Sequence, residues 1–146
     1  MKRRTLWQIA VVLVLAAVGG MAAVSVLATP TGDRAMAIQT RRLPDVSRHD
    51  IPRDIHPATS NGLVPRAIWL VRTPDGWRAF TARSNHLGCP VEWVAKWERL
   101  VDQCSGAAWD RTGLNVAGPA PRPLDSYPVK RLEHGWVEVD LSRLVQ

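Results

Sequence analysis

"SNHLGC", residues 84–89, and "DQCSGAAWD", residues 102–110, hold both cysteines of the chain, one of its four histidines and two glycines suited to tight turns. These are the residue types of a paired metal-binding loop. "GPAPRPL", residues 118–124, follows with three prolines that stiffen a third loop. The spelling is that of a metal site with most of its ligands missing.

Outward from these loops the chain reads as strands. "AIWLVRT" (67–73) and "WRAFTAR" (77–83) flank Pro74, Asp75 and Gly76, two β-rich segments around a turn signal, which predicts a hairpin. "YPVKRL" (127–132) and "GWVEVDL" (135–141) flank Glu133 and His134, predicting a second. In its return strand Val137, Val139 and Leu141 alternate with Glu138 and Asp140, so one face should be buried and the other wet. "EWVAKWERLV" (92–101) sets Trp93, Trp97 and Leu100 at helical spacing. It reads either as a helix or as a loop carrying two tryptophans to a surface. Residues 63–146 are thus expected to form one small all-β domain.

The N-terminal text is of another kind. Residues 6–28 contain no ionisable group and follow Lys2, Arg3 and Arg4. As a helix they would run about 35 Å, enough to cross a hydrocarbon core of roughly 30 Å. The expectation is a single-pass anchor in the cell membrane, with residues 1–5 cytoplasmic and the C-terminal domain on the periplasmic or extracellular face. A cleaved signal peptide is the competing reading, since Val26 and Ala28 satisfy the small-residue rule, but the apolar run is longer than a typical signal core. Residues 29–62, punctuated by Pro30, Pro44, Pro52 and Pro57 and without a helical or strand period, are expected to be an extended tether. His49 and His56 lie there near Asp50 and Asp54. A metal clip is conceivable, and solvated linker residues are the plainer reading.

The formal charge of +6 comes mostly from arginine, dispersed along the chain. No zinc-finger spacing, Gly-rich phosphate loop or basic helix with interleaved aromatics accompanies it, so nucleic acid is not an expected partner. A small β domain buries a modest fraction of its surface and gains from a staple. Outside the cytoplasm a lone cysteine pair most often forms a disulfide, and closing a loop of about 15 residues is worth roughly 3 kcal/mol in the chain-entropy treatment.

"SNHLGC", "DQCSGAAWD" and "GPAPRPL", in this order, resemble the three signature loops of the Rieske iron-sulfur proteins of quinol-oxidising cytochrome b complexes. That family reads CTHLGC, then CPCHGS followed by an aromatic residue, then a GPAP loop, behind an N-terminal anchor and a tether. The resemblance implies a small antiparallel Rieske-type β domain. In the family each of the first two loops gives one thiolate and one imidazole to a 2Fe-2S cluster, and a second cysteine of each loop joins its counterpart. Position by position, Ser84 stands at the first thiolate, His86 keeps its imidazole, Asp102 stands at the second thiolate and Ser105 replaces the second imidazole. Cys89 and Cys104 fall on the disulfide positions. Ala107 and Trp109 occupy positions where the family carries hydroxyls that tune the cluster.

Oxygen donors do not replace two soft thiolates, so these are vestigial ligand positions and no cofactor, metal or catalytic residue is expected. Two function classes follow. One is a redox-inactive, membrane-anchored accessory subunit of a respiratory or photosynthetic electron-transfer complex, partnered by its other subunits and the lipid bilayer. In it Trp93 and Trp97 would be interface anchors, unless they are ordinary core residues. The other is a metal-binding or electron-transfer Rieske-type protein with a site rebuilt from His86, Asp102 and Ser84.

Overall fold

The structure is a computed structural model that describes residues 34–145. The predicted membrane span over 6–28 lies outside them, and among the described residues no helix is long and apolar enough to cross a membrane. Eleven strands are described: β1 (Ala35–Gln39), β2 (Val46–Asp50), β3 (Ala67–Thr73), β4 (Gly76–Thr81), β5 (Val91–Val94), β6 (Arg99–Asp102), β7 (Ala108–Trp109), β8 (Asn115–Ala117), β9 (Ser126–Tyr127), β10 (Val129–Arg131) and β11 (Trp136–Asp140). They form three antiparallel sheets, ordered β1-β11-β10, β2-β3-β4-β9 and β5-β6-β7-β8. The described residues adopt the expected all-β, antiparallel class.

The β3-β4 hairpin forms where its turn residues place it, with Thr73 opposite Gly76. Every residue of β3 is buried except Arg72, because its two faces serve two cores. Ala67, Trp69 and Val71 pack with Phe80, Val91, Leu100 and Trp109, whereas Ile68 and Leu70 pack with Ile38, Val137, Val139 and Leu141. A strand covered on both faces reads as one apolar run, as "AIWLV" does. The middle sheet therefore lies between the other two.

Three expectations need correction. Residues 92–101 are neither helix nor long loop: β5 and β6 pair, with Trp93 opposite Leu100. Val91, Val94 and Val101 favour a pleated strand. A helix over this stretch would also set its ends about 15 Å apart, whereas the flanking Cys89 and Cys104 have Cα atoms 6.0 Å apart. Secondly, the predicted tether contains β1, which pairs with β11, and β2, which pairs with β3. Its isolated hydrophobes Ile38 and Ile51 are buried in a core built by distant residues. Thirdly, Glu138, on the central strand of its sheet, is 6% exposed rather than wet. Glu138 sits opposite Lys130 in register.

Candidate functional site

Three loops converge at one end of the β5-β8 sheet. In the first, the Ser84 amide donates to the Cys89 carbonyl at 2.9 Å and the Gly88 amide to the Ser84 carbonyl at 3.1 Å, which closes residues 84–89 into a tight turn. Gly88 has φ 69°, a left-handed conformation that glycine adopts without steric cost. Ser84 is 1% exposed, and its Oγ accepts the His86 amide at 3.1 Å. The His86 side chain is exposed.

In the second loop Asp102 is 1% exposed. Its Oδ1 accepts the amides of Cys104 at 2.8 Å and Ser105 at 3.1 Å, so the side chain closes its own turn, as aspartate readily does. Oδ2 is buried without a hydrogen-bond partner. Burial pushes the carboxyl upward, but the Ser84 hydroxyl, the two amides and the Ser105 hydroxyl together hold it below the usual carboxylate range. The carboxylate is therefore charged at neutral pH. Cys89 and Cys104 are joined as a disulfide that ties the first loop to the second.

The third loop closes over both. Gly118 approaches Ala107 so closely that a Cβ built on it would lie 2.5 Å from the Ala107 Cα. The Trp109 indole donates to the Arg122 carbonyl at 3.2 Å, and the Asn85 amide donates to the Pro123 carbonyl. Trp109 and Ala107 are fully buried. Arg122 pairs with Asp125, which also accepts from the Ser60 hydroxyl.

Ser84, His86, Asp102 and Ser105 are thus gathered on two adjacent loops. The donor set does not suit a Rieske cluster: it offers one imidazole, two hydroxyls and a carboxylate engaged by backbone amides, while both sulfurs are bound to each other. Among the described residues the His, Cys, Asp or Glu donors close enough to share an ion are Cys89, Asp102 and Cys104. His86 is not in that group, and neither are His49, Asp50, Asp54 or His56. His49 instead shares a hydrogen bond with the Ser47 hydroxyl at 2.9 Å.

The two tryptophans separate. Trp93 packs against the core, with the Arg111 guanidinium 5.3 Å above its ring. Trp97 is 59% exposed at the tip of the β5-β6 hairpin. Sequence reasoning missed Asn61, Arg83 and Asn85. Asn61 donates to the Ser84 carbonyl at 3.3 Å, and the Arg83 guanidinium holds the Gly88 carbonyl. Arg83 adjoins the cysteine-bearing loop and Asn85 lies within it, a weak signal, and Asn61 has none.

No protein-family model matches the chain. It is similar to cytochrome b6-f complex iron-sulfur subunit 1 of the Cyanophora paradoxa cyanelle, 37% identical over 90 residues that cover 56% of this chain and 38% of the relative. It is likewise 36% identical over 64 residues to the cytochrome b6-f complex iron-sulfur subunit of Chlorobaculum tepidum, covering 44% and 35%. The match therefore spans little more than a third of these relatives. The crystal structure of the cyanobacterial plasma membrane Rieske protein PetC3 from Synechocystis PCC 6803 aligns with a TM-score of 0.45 and 27% identity, over 50% of this chain and 75% of that one. The chain is Rieske-like, and its described residues lack the Rieske ligand set.

Proposed function

We propose that this chain is a redox-inactive accessory subunit of a respiratory or photosynthetic membrane electron-transfer complex, with a Rieske-like head that carries no 2Fe-2S cluster. One observation carries the reading. Ser84 and Asp102, at the positions of the two thiolate ligands, are buried and engaged in closing their own loops. The oxygen atoms that stand in place of sulfur hold the loop backbone, and the retained disulfide ties the two loops together.

Residues 6–28 serve as the single span, with residues 1–5 in the cytoplasm and the head on the periplasmic or extracellular face. The uncharged run behind Lys2, Arg3 and Arg4 supports this. The head begins by Ala35, which leaves a tether shorter than 29–62. The names of the relatives, subunits of the cytochrome b6-f complex, support partners of that kind. Electron transfer then resides in those partners, and the chain itself catalyses nothing. Exposed Trp97 suits a partner contact, whereas Trp93 serves the core.

The test is chemical. Purified protein is expected to be colourless, without acid-labile sulfide and without a reduced-state iron-sulfur signal in electron paramagnetic resonance. Near-stoichiometric iron and sulfide with that signal overturns the reading. Extraction from the native membrane in mild detergent is expected to bring the chain out with haem-bearing subunits, and migration alone at its monomer mass removes the accessory role.

A further inference from the structure

We propose that reduction of the Cys89–Cys104 disulfide uncovers a binding site for a thiophilic divalent cation such as Zn2+, built from the two thiolates and the Asp102 carboxylate. Two of its three donors lie outside the Rieske ligand positions, and it does not rest on the accessory-subunit reading.

Three observations converge on it. The two sulfurs and a carboxylate oxygen of Asp102 all lie within 4.8 Å of one another. Zinc bound to two thiolates and a carboxylate has bonds of about 2.3 and 2.0–2.2 Å, so donors of one tetrahedral site lie roughly 3.5–4 Å apart. Side-chain rotation at the two cysteines covers the difference. Next, Asp102 is 1% exposed and its Oδ2 has no hydrogen-bond partner, although buried polar atoms are nearly always satisfied. Oδ1 holds the loop through the Cys104 and Ser105 amides, and beyond these the carboxylate meets only the Ser84 and Ser105 hydroxyls, which a cation can displace. Lastly, Cys104 is exposed and Cys89 half-buried, so an external thiol can reach the bond.

The chemistry balances with a dithiol as reductant. The dithiol gives two electrons and two protons and closes to its own disulfide, while the Cys89–Cys104 bond breaks to two thiols. The cation then displaces one proton from each thiol, so two protons leave per ion bound. Two thiolates with one carboxylate favour Zn2+ over Mg2+ or Ca2+, and water completes the fourth position.

Full-length chain in detergent, reduced with a dithiol and freed of it without oxygen, is titrated with Co2+ as a coloured probe. One equivalent is expected to bind with a thiolate-to-cobalt charge-transfer band that Zn2+ abolishes. The oxidised chain and the Cys89→Ser, Cys104→Ser double variant are expected to give no band. Asp102→Asn keeps an oxygen for the loop amides but loses the charge, and is expected to bind at least about tenfold more weakly. Absence of the band in reduced protein, an unchanged midpoint in Asp102→Asn, or loss of the β-sheet circular dichroism on reduction overturns the proposal. None of these readouts depends on whether the native chain holds an iron-sulfur cluster, which sulfide and paramagnetic resonance report separately.

Discussion

Leu63 lies against Gly88 in a space that only a glycine leaves open: a Cβ built on Gly88 would sit 2.0 Å from the Leu63 Cδ1. Gly88 is the turn residue of the first loop, and Leu63 lies in the segment that runs from β2 into β3. The contact joins the residue that directly follows the stretch read as tether, 29–62, to the loop that bears Ser84 and Cys89. Gly88→Ala is expected to destabilise the head by about 1–2 kcal/mol through left-handed strain alone, plus the cost of displacing Leu63. Denaturant unfolding of Gly88→Ala in wild-type and Leu63→Ala backgrounds separates the two parts. The penalty is expected to shrink in the second background, and equal penalties would mean that Leu63 exerts no constraint.

Asp102 makes the stability of the head depend on acid. Its folded carboxyl titrates below the usual range, with burial opposed and outweighed by its hydrogen bonds. A group with a depressed folded pKa contributes stability that is fully present above its unfolded value, near 3.9, and is lost as pH falls through the folded value. Unfolding midpoints measured from pH 6 down to pH 2 are expected to fall less steeply in Asp102→Asn than in the wild type. Asp102→Ala removes the acceptor of the part-buried Cys104 and Ser105 amides and is expected to cost about 1 kcal/mol at neutral pH.

The disulfide closes the β5-β6 hairpin at its base, since Cys89 and Cys104 are 15 residues apart and flank both strands. Cys89→Ser with Cys104→Ser is expected to lower stability by about 3 kcal/mol. Amide exchange checks where the loss falls. Protection should drop first at Val91 and Val101, in the hairpin, and last in β3, which is buried by two cores.

How much of the molecule is legible in its amino-acid sequence follows the range of the forces involved. The β3-β4 hairpin is legible because Pro74, Asp75 and Gly76 mark a local turn between two apolar segments, and the paired loops because cysteine, histidine and glycine are chemically distinctive. Trp93, Trp97 and Leu100 mislead because a short stretch fits a helical period and a hairpin register alike. The segment holding β1 and β2 is opaque for a different reason. Ile38 and Ile51 each fill one position in a core assembled by residues far along the chain, and no local period announces that. Ser84 and Asp102 are legible as substitutions at ligand positions, but their burial and mutual packing are tertiary facts.

The Tyr127 hydroxyl donates to the Ala58 carbonyl at 2.9 Å, and the Ala58 amide donates to the Leu141 carbonyl at 2.8 Å. Together they fasten residues 51–65 across the head. Tyr127 is 2% exposed, and burial, with the Asp125 carboxylate second, pushes its phenol well above the ordinary value. A raised folded pKa gives stability that is complete below the unfolded phenol value near 10 and is lost as pH rises above it. Tyr127→Phe deletes the donor and leaves the Ala58 carbonyl unpaired, an expected cost of about 1 kcal/mol at neutral pH. The same variant is expected to remove most of the alkaline fall in stability between pH 9 and pH 11. Faster exchange at the Ala58 amide, with β3 still protected, would place the loss in the fastening segment. Uniform acceleration would instead mean that Tyr127 acts through the core that it shares with Leu70 and Val139.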